Sequence, residues 1–122
     1  MSKINVEWSN LLFLRSTEIE KYVPTSGGLY ILWVKLVSAK WKTIYIGQAN
    51  NLKESLSKHL SISEPNECIK TKISKSVCAF HFAVVPDEDD RAGIEKFLFD
   101  RYTHECNKES SRESPIEVNL PH

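Results

Sequence analysis

Tyr30, Tyr45, His59 and Glu95 are side chains of the kinds that proton transfer and hydrolysis use, and Ser55 stands four residues before His59. A phenol can orient a water or take its proton, and an imidazole can move a proton near neutral pH. A carboxylate is an oxygen donor for a hard cation. Each residue also has a plain structural reading. The tyrosines lie in apolar runs, where a ring packs and its hydroxyl sits at the edge. His59 suits a helix C-terminus as a cation. Glu95 reads as a helix glutamate that Ile94 and Phe97 draw toward burial.

The elements that must position these groups follow from periodicity and turn chemistry. Leu29 to Val37 and Trp41 to Ile46 are rich in β-branched, aromatic and aliphatic residues and read as two strands. Ser38-Ala39-Lys40 can join them as a hairpin. Gly28 permits a tight entry to the first strand and Gly47 an exit from the second. Asn50 or Asn51 can cap a helix to about Leu60, with Leu52, Leu56 and Leu60 as its buried stripe. Ser55 and Lys58 share one face of that helix. Asn66 can start a short helix holding Ile69 and Ile73. Val77 to Val85 reads as a third strand, closed by Pro86. The acid-rich turn from Asp87 suits the N-terminus of a long helix carrying Ile94, Phe97, Leu98 and Tyr102. Thr17 with Glu20 has a capping-box pattern, which predicts a short helix ending at Tyr22. The tail around Ile116-Glu117-Val118, between Pro115 and Pro121, admits at best a short edge strand or an ordered arm.

This order predicts a single α/β domain, an α/β sandwich with a small, mainly antiparallel three-stranded sheet flanked by helices. Residues 28–107 form its core, 1–27 an N-terminal helix and arm, and 108–122 a C-terminal arm. Trp33, Trp41, Phe80 and Phe82 are expected in the core or on the sheet surface.

Gly28-Leu29-Tyr30, Tyr45-Ile46-Gly47, the helix start at Asn51-Leu52, His59, Glu95 and Asn107 occur in the order of the GIY-YIG nuclease family, which the chain resembles from Gly28 to Asn107. The resemblance implies metal-dependent phosphodiester hydrolysis. Glu95 would be the ligand for Mg2+ or Mn2+ if the domain is active, and no cofactor is implied otherwise. Tyr30 or Tyr45 would orient or deprotonate the attacking water, His59 would line the site, and Asn107 would fix the chain after the long helix. Gly28, Gly47 and Asn107 are the structural residues of the motif. The chain departs from the family at the position of its arginine, which is Ser55, so the charge that steadies the phosphoryl oxygens in the transition state is missing. Lys58, three residues on from Ser55, and Arg91, four residues before Glu95, are cations that could reach a phosphate in principle, but neither restores the geometry of the arginine. His104 stands where the family often has proline. The resulting expectation is an endonuclease-like domain associated with nucleic acid, with DNA before RNA, that binds without cutting. An active DNA endonuclease is one alternative. A protein-interaction module, with Leu11 to Leu14 against a partner, is the other.

The bulk numbers bound these readings. The chain has 122 residues, 41% of them apolar and 26% charged, in the range of one globular domain. Net charge is zero, which argues against strong sequence-independent DNA affinity. The charge is unevenly spread, however: Lys35 to Lys75 holds eight lysines against three acids, whereas Asp87 to Glu113 holds nine acids against five Lys and Arg. Lys42, Lys53 and Lys58 in the first stretch are the expected contacts to a phosphate backbone. Cys68, Cys78 and Cys106 are too few and too scattered for a disulfide framework or a zinc motif and are expected to be free thiols. The first ten residues lack the apolar stretch of a signal peptide, and no run is long enough to span a bilayer, which predicts an intracellular, cytoplasmic protein with no membrane partner.

Overall fold

β3 (Gly28–Lys35) organises the molecule, because its side chains from Leu29 to Val34 are committed alternately to two cores. The computed structural model describes residues 2–61, 64, 66–102, 105–107 and 116–121. In these residues β3 pairs antiparallel with β4 (Trp41–Ala49) on one side and β5 (Cys78–Val84) on the other. A two-residue strand, β2 (Leu12–Phe13), adds antiparallel to β5 and gives the order β2-β5-β3-β4. The expected three-stranded sheet is therefore four-stranded. The fourth strand was not legible because two residues of pairing leave no alternating pattern to read.

Tyr30, Leu32 and Val34 face a core built with Ile19 of α1 (Ser16–Tyr22), Leu52 and Leu56 of α2 (Leu52–His59), and Ile69 of α3 (Glu67–Lys75). Leu29, Ile31 and Trp33 face the opposite core, closed by Ile94, Phe97 and Leu98 of α4 (Glu88–Arg101). Period-two alternation on a strand buried on both faces thus makes a three-layer sandwich.

The caps explain where the helices start. Asn51 accepts from Glu54 N–H, Asn66 from Ile69 N–H and Asp87 from Asp90 N–H. These are the side-chain caps that polar N-cap residues provide. α1 differs: its N-cap is Arg15, with no side-chain cap bond, so the Thr17–Glu20 capping box does not form. A second, two-stranded parallel sheet pairs β1 (Ser2–Ile4) with β6 (Ile116–Val118), placing the expected C-terminal edge strand against the N-terminus. Leu12 and Leu14 of the N-terminal apolar run join the first core, while Leu11 and Phe13 remain exposed.

β4 is the sheet edge and carries a bulge: Leu32 pairs with Tyr45 and Trp33 with Thr43, leaving Ile44 as the extra residue. The exposed backbone of this edge is then covered. Cys106 N–H donates to Ile44 O at 2.8 Å, and the Asn107 side chain accepts from Ile46 N–H and donates to Ile46 O, each at 2.9 Å. Asn107 therefore does for one residue what a fifth strand would do, and closes an edge open to pairing. Cys106 is also joined to Cys68 by a disulfide across 38 residues. This corrects the expectation of free thiols, which holds for buried Cys78. Spacing along the chain could not show that α3 and the segment after α4 meet. No helix among the described residues is long and apolar enough to cross a membrane.

Asn107→Ala removes both bonds to Ile46 and is expected to lower stability by about 1–3 kcal/mol. Urea denaturation checks this, and a midpoint unchanged from the native chain would show that the edge clamp contributes nothing.

Candidate active site

Two of the motif glycines are there to let groups approach. Gly47 lies directly across from Tyr30 in the β3–β4 ladder. A Cβ at Gly47 would sit 2.5 Å from Tyr30 Cζ and 2.6 Å from its hydroxyl oxygen, so the phenol occupies the space a side chain would fill. A Cβ at Gly28 would meet Ala83 O at 2.1 Å, across the β3–β5 pairing.

Tyr45 lies on the same face as Tyr30, and the bulge lets Ile44 and Tyr45 both serve that core. The two tyrosine rings stack with centroids 6.0 Å apart. His59, the last residue of α2, lies 5.5 Å from the Tyr30 ring and 5.3 Å from the Tyr45 ring, centroid to centroid. Its Nε2 is 2.7 Å from the Tyr30 hydroxyl, and its Nδ1 is 2.5 Å from Glu64 Oε2. A carboxylate only accepts, so Nδ1 carries the proton and Nε2 accepts from Tyr30. Glu64 is 6% exposed, and its other oxygen accepts from Asn66 N–H at 2.9 Å. Asn66 in turn donates from its amide to Cys106 O at 2.8 Å. A continuous chain of hydrogen bonds thus runs from the Tyr30 hydroxyl to the disulfide segment.

These groups open into one cavity of about 380 Å³ lined by Tyr30, Tyr45, Ser55, Lys58, His59, Glu64 and Asn66. Four of the five expected catalytic positions meet there. The fifth, Glu95, is on α4 beyond the cavity wall. Its Oε1 accepts from Gln48 Nε2 of β4 at 3.4 Å. Glu95 forms no ion pair among the described residues, and no group of three or more His, Cys, Asp or Glu is placed there to hold a metal.

Among the described residues no guanidinium lines the cavity. Arg91 is 4% exposed and lies against Gly27, just ahead of the start of β3, donating to Val85 O and Pro86 O and, at 2.7 Å, to Asn50 Oδ1. It braces loops and is not turned toward the cavity. Lys58 does reach the cavity, beside Ser55, and pairs with Glu54 at 3.0 Å. Lys42 pairs with Glu105 at 3.4 Å and Lys53 with Glu20 at 3.9 Å, so each lysine expected at a phosphate backbone has an acidic neighbour. His104 lies outside the described residues.

Glu64 was absent from the sequence reading. It follows His59 by five residues, past the helix end, and only the cap at Asn66 hinted that the chain turns there. Gln48, which holds Glu95, was missed for the same reason: nothing marks a polar strand residue as reaching across to a helix.

Protonation follows from burial. Burial holds the Tyr30 phenol well above its ordinary value, with Tyr45 and the charges of Glu64 and Glu95 adding to it. Burial also raises Tyr45, while the polar contact with the Tyr30 hydroxyl pulls the other way. Glu95 is raised by burial, with Gln48 pulling the other way. Burial lowers His59, against an upward pull from Glu64. At neutral pH the arrangement is therefore two protonated phenols and a neutral imidazole. As pH falls, the unfolded chain protonates His59 first. The stability this residue contributes is full above about pH 6.5 and is lost as pH falls through the folded value.

No family model, curated protein or solved structure matches the chain.

NMR titration is expected to find His59 titrating below about 6.5, and Glu64→Gln to move it lower still, because the carboxylate favours the imidazolium. A titration above that value, or an upward move in Glu64→Gln, would contradict the arrangement. Gly47→Ala, which sets a Cβ against the Tyr30 ring, is expected to cost about 1–3 kcal/mol by urea denaturation. An unchanged midpoint would mean the ring does not lie over Gly47.

Proposed function

We propose that the chain is a GIY-YIG-type domain that binds nucleic acid and retains the proton-transfer half of a phosphodiester-cleaving site without its charge-stabilising half. The observation that supports this most is the meeting of Tyr30, Tyr45, Ser55 and His59 in one open cavity.

The retained half works as a relay. A water beside Tyr30 gives its proton to the phenol oxygen as the phenol gives its own to His59 Nε2. The resulting imidazolium is steadied by Glu64 at Nδ1. A phenol raised above its normal range is a poor base alone, so a neutral imidazole behind it is what makes such a transfer reasonable.

Glu95 is the residue that would hold a magnesium ion. It is a half-buried carboxylate whose partner is a neutral amide, a group that a divalent cation stabilises. Magnesium keeps most of its waters and takes phosphate oxygens, so one protein carboxylate is a sufficient anchor. When bound, the ion supplies Lewis-acid polarisation of a phosphoryl oxygen.

The other half is missing. Ser55 offers a hydroxyl where a fork-shaped cation would grip two phosphoryl oxygens. Lys58 offers a point charge already engaged by Glu54. Losing one transition-state donor typically costs on the order of 10²–10³ in rate, which is why binding is placed ahead of cutting.

With supercoiled plasmid and magnesium or manganese ions, Ser55→Arg is expected to raise nicking on the order of 10²–10³-fold over the native chain, and adding Glu95→Ala to abolish the gain. Fast metal-dependent nicking by the native chain that Glu95→Ala abolishes would instead establish an active endonuclease. No binding of DNA or RNA even at low salt would leave the protein-interaction reading.

A further inference from the structure

We infer that Cys68 and Cys106 form a reversible thiol–disulfide site whose state decides whether Glu64 is held against His59. The crosslink lies where the structure converges on the site. Cys68 is in the first turn of α3, two residues after Asn66. The Cys106 backbone is held from two sides: its N–H donates to the carbonyl of the bulge residue Ile44, and its C=O accepts from the Asn66 side chain. Asn66 then caps α3 through Ile69 N–H and donates its own N–H to Glu64. The disulfide closes this circuit, so the Asn66–Cys106 bond spans a gap of fixed width. Glu64, whose position depends on that circuit, carries His59 Nδ1.

The chemistry is accessible from one side. Cys106 is 2% exposed, whereas Cys68 is only partly buried, so Cys68 is the side on which the proposal places the attack of a thiolate. A dithiol reductant attacks Cys68 Sγ, and Cys106 leaves as a thiolate and takes a proton. The reductant's second thiol then attacks the mixed disulfide, Cys68 leaves as a thiolate and takes a proton, and the reductant ends as a disulfide. Two electrons and two protons pass to the protein. Buried Cys78 in β5 takes no part.

Once the crosslink is open, the segment at Cys106 keeps its hydrogen bonds to the sheet edge and to Asn66 and the Glu105 ion pairs with Lys42 and Lys72, but loses its covalent tie to α3. A short irregular segment without a covalent tie opens locally below the free energy of global unfolding. Opening there frees Asn66, then Glu64, and leaves the Tyr30–His59 pair without its anchor. β3 and β5 keep their own ladder bonds and both cores. The effect is confined to the relay. A staple that merely stabilised the fold would act throughout.

The test uses the full chain with oxidised or reduced dithiothreitol and reads amide hydrogen exchange by NMR. No nucleic acid is involved, so its outcome is independent of the nuclease reading. In reductant, the amides of Glu64, Asn66, Ile69 and Cys106 are expected to exchange at least about ten-fold faster, while Leu32 and Phe80 stay unchanged and reoxidation restores the original rates. Cys68→Ser is expected to show the fast pattern without reductant. The native-chain comparison stands alone if that variant does not fold. Three free thiols in denatured, unreduced protein would overturn the proposal. So would unchanged exchange at Asn66, or equal acceleration at Leu32 and Phe80.

Discussion

A buried hydroxyl must find a partner, and the 3% exposed Tyr30 finds His59. Most of the site follows from that requirement. Tyr30 can enter the core only because Gly47 has no side chain. His59 can reach it only because α2 ends at that point over the sheet. The imidazole, itself part-buried, then needs something for its second nitrogen, and Glu64 supplies it. Glu64 is a buried acid and needs donors in turn, which His59 and the Asn66 backbone provide. Each burial creates the demand that the next residue meets. Polar networks at low dielectric are stable only when complete, so this one binds three separate stretches of chain into one arrangement.

The sheet edge is the second constraint. Among the described residues β4 has no neighbouring strand on its outer side. The bulge at Ile44 and the ladder groups of Ile46 are met by Cys106 and Asn107 instead. Edge protection and site support thus depend on the same few residues. The disulfide joins them to α3, and Asn66 joins them to Glu64. The phenols and the edge of the sheet are parts of one structure.

What was legible in the sequence was what local chemistry encodes. β3 and β5 read correctly to within two residues because β-branched and aromatic residues fill them, and the caps at Asn66, Asp87 and Asn51, one of two candidates with Asn50, were legible because a short polar side chain before an apolar stripe has few other uses. Tyr30, Tyr45, Ser55 and His59 were picked out through the resemblance to the GIY-YIG family, and the fold brings them together. What was hidden depends on tertiary contact. The pairing of β1 with β6 joins residues more than a hundred positions apart, and the two halves carry no mutual signal. The Cys68–Cys106 bridge and the Glu64 anchor are of the same kind. Arg91 shows the converse: its place four residues before Glu95 suggested a role near phosphate, whereas packing turns it to the loop carbonyls.

The central claim is the direction of the relay: Tyr30 donates to a bare Nε2 because Glu64 holds the proton on Nδ1. The 15N chemical shifts of the His59 ring at neutral pH report this directly. Nδ1 in the protonated range and Nε2 in the unprotonated range are the expected result. A ring protonated on Nε2 alone, or on both nitrogens, would reverse or remove the relay, and the account of the site would fail with it.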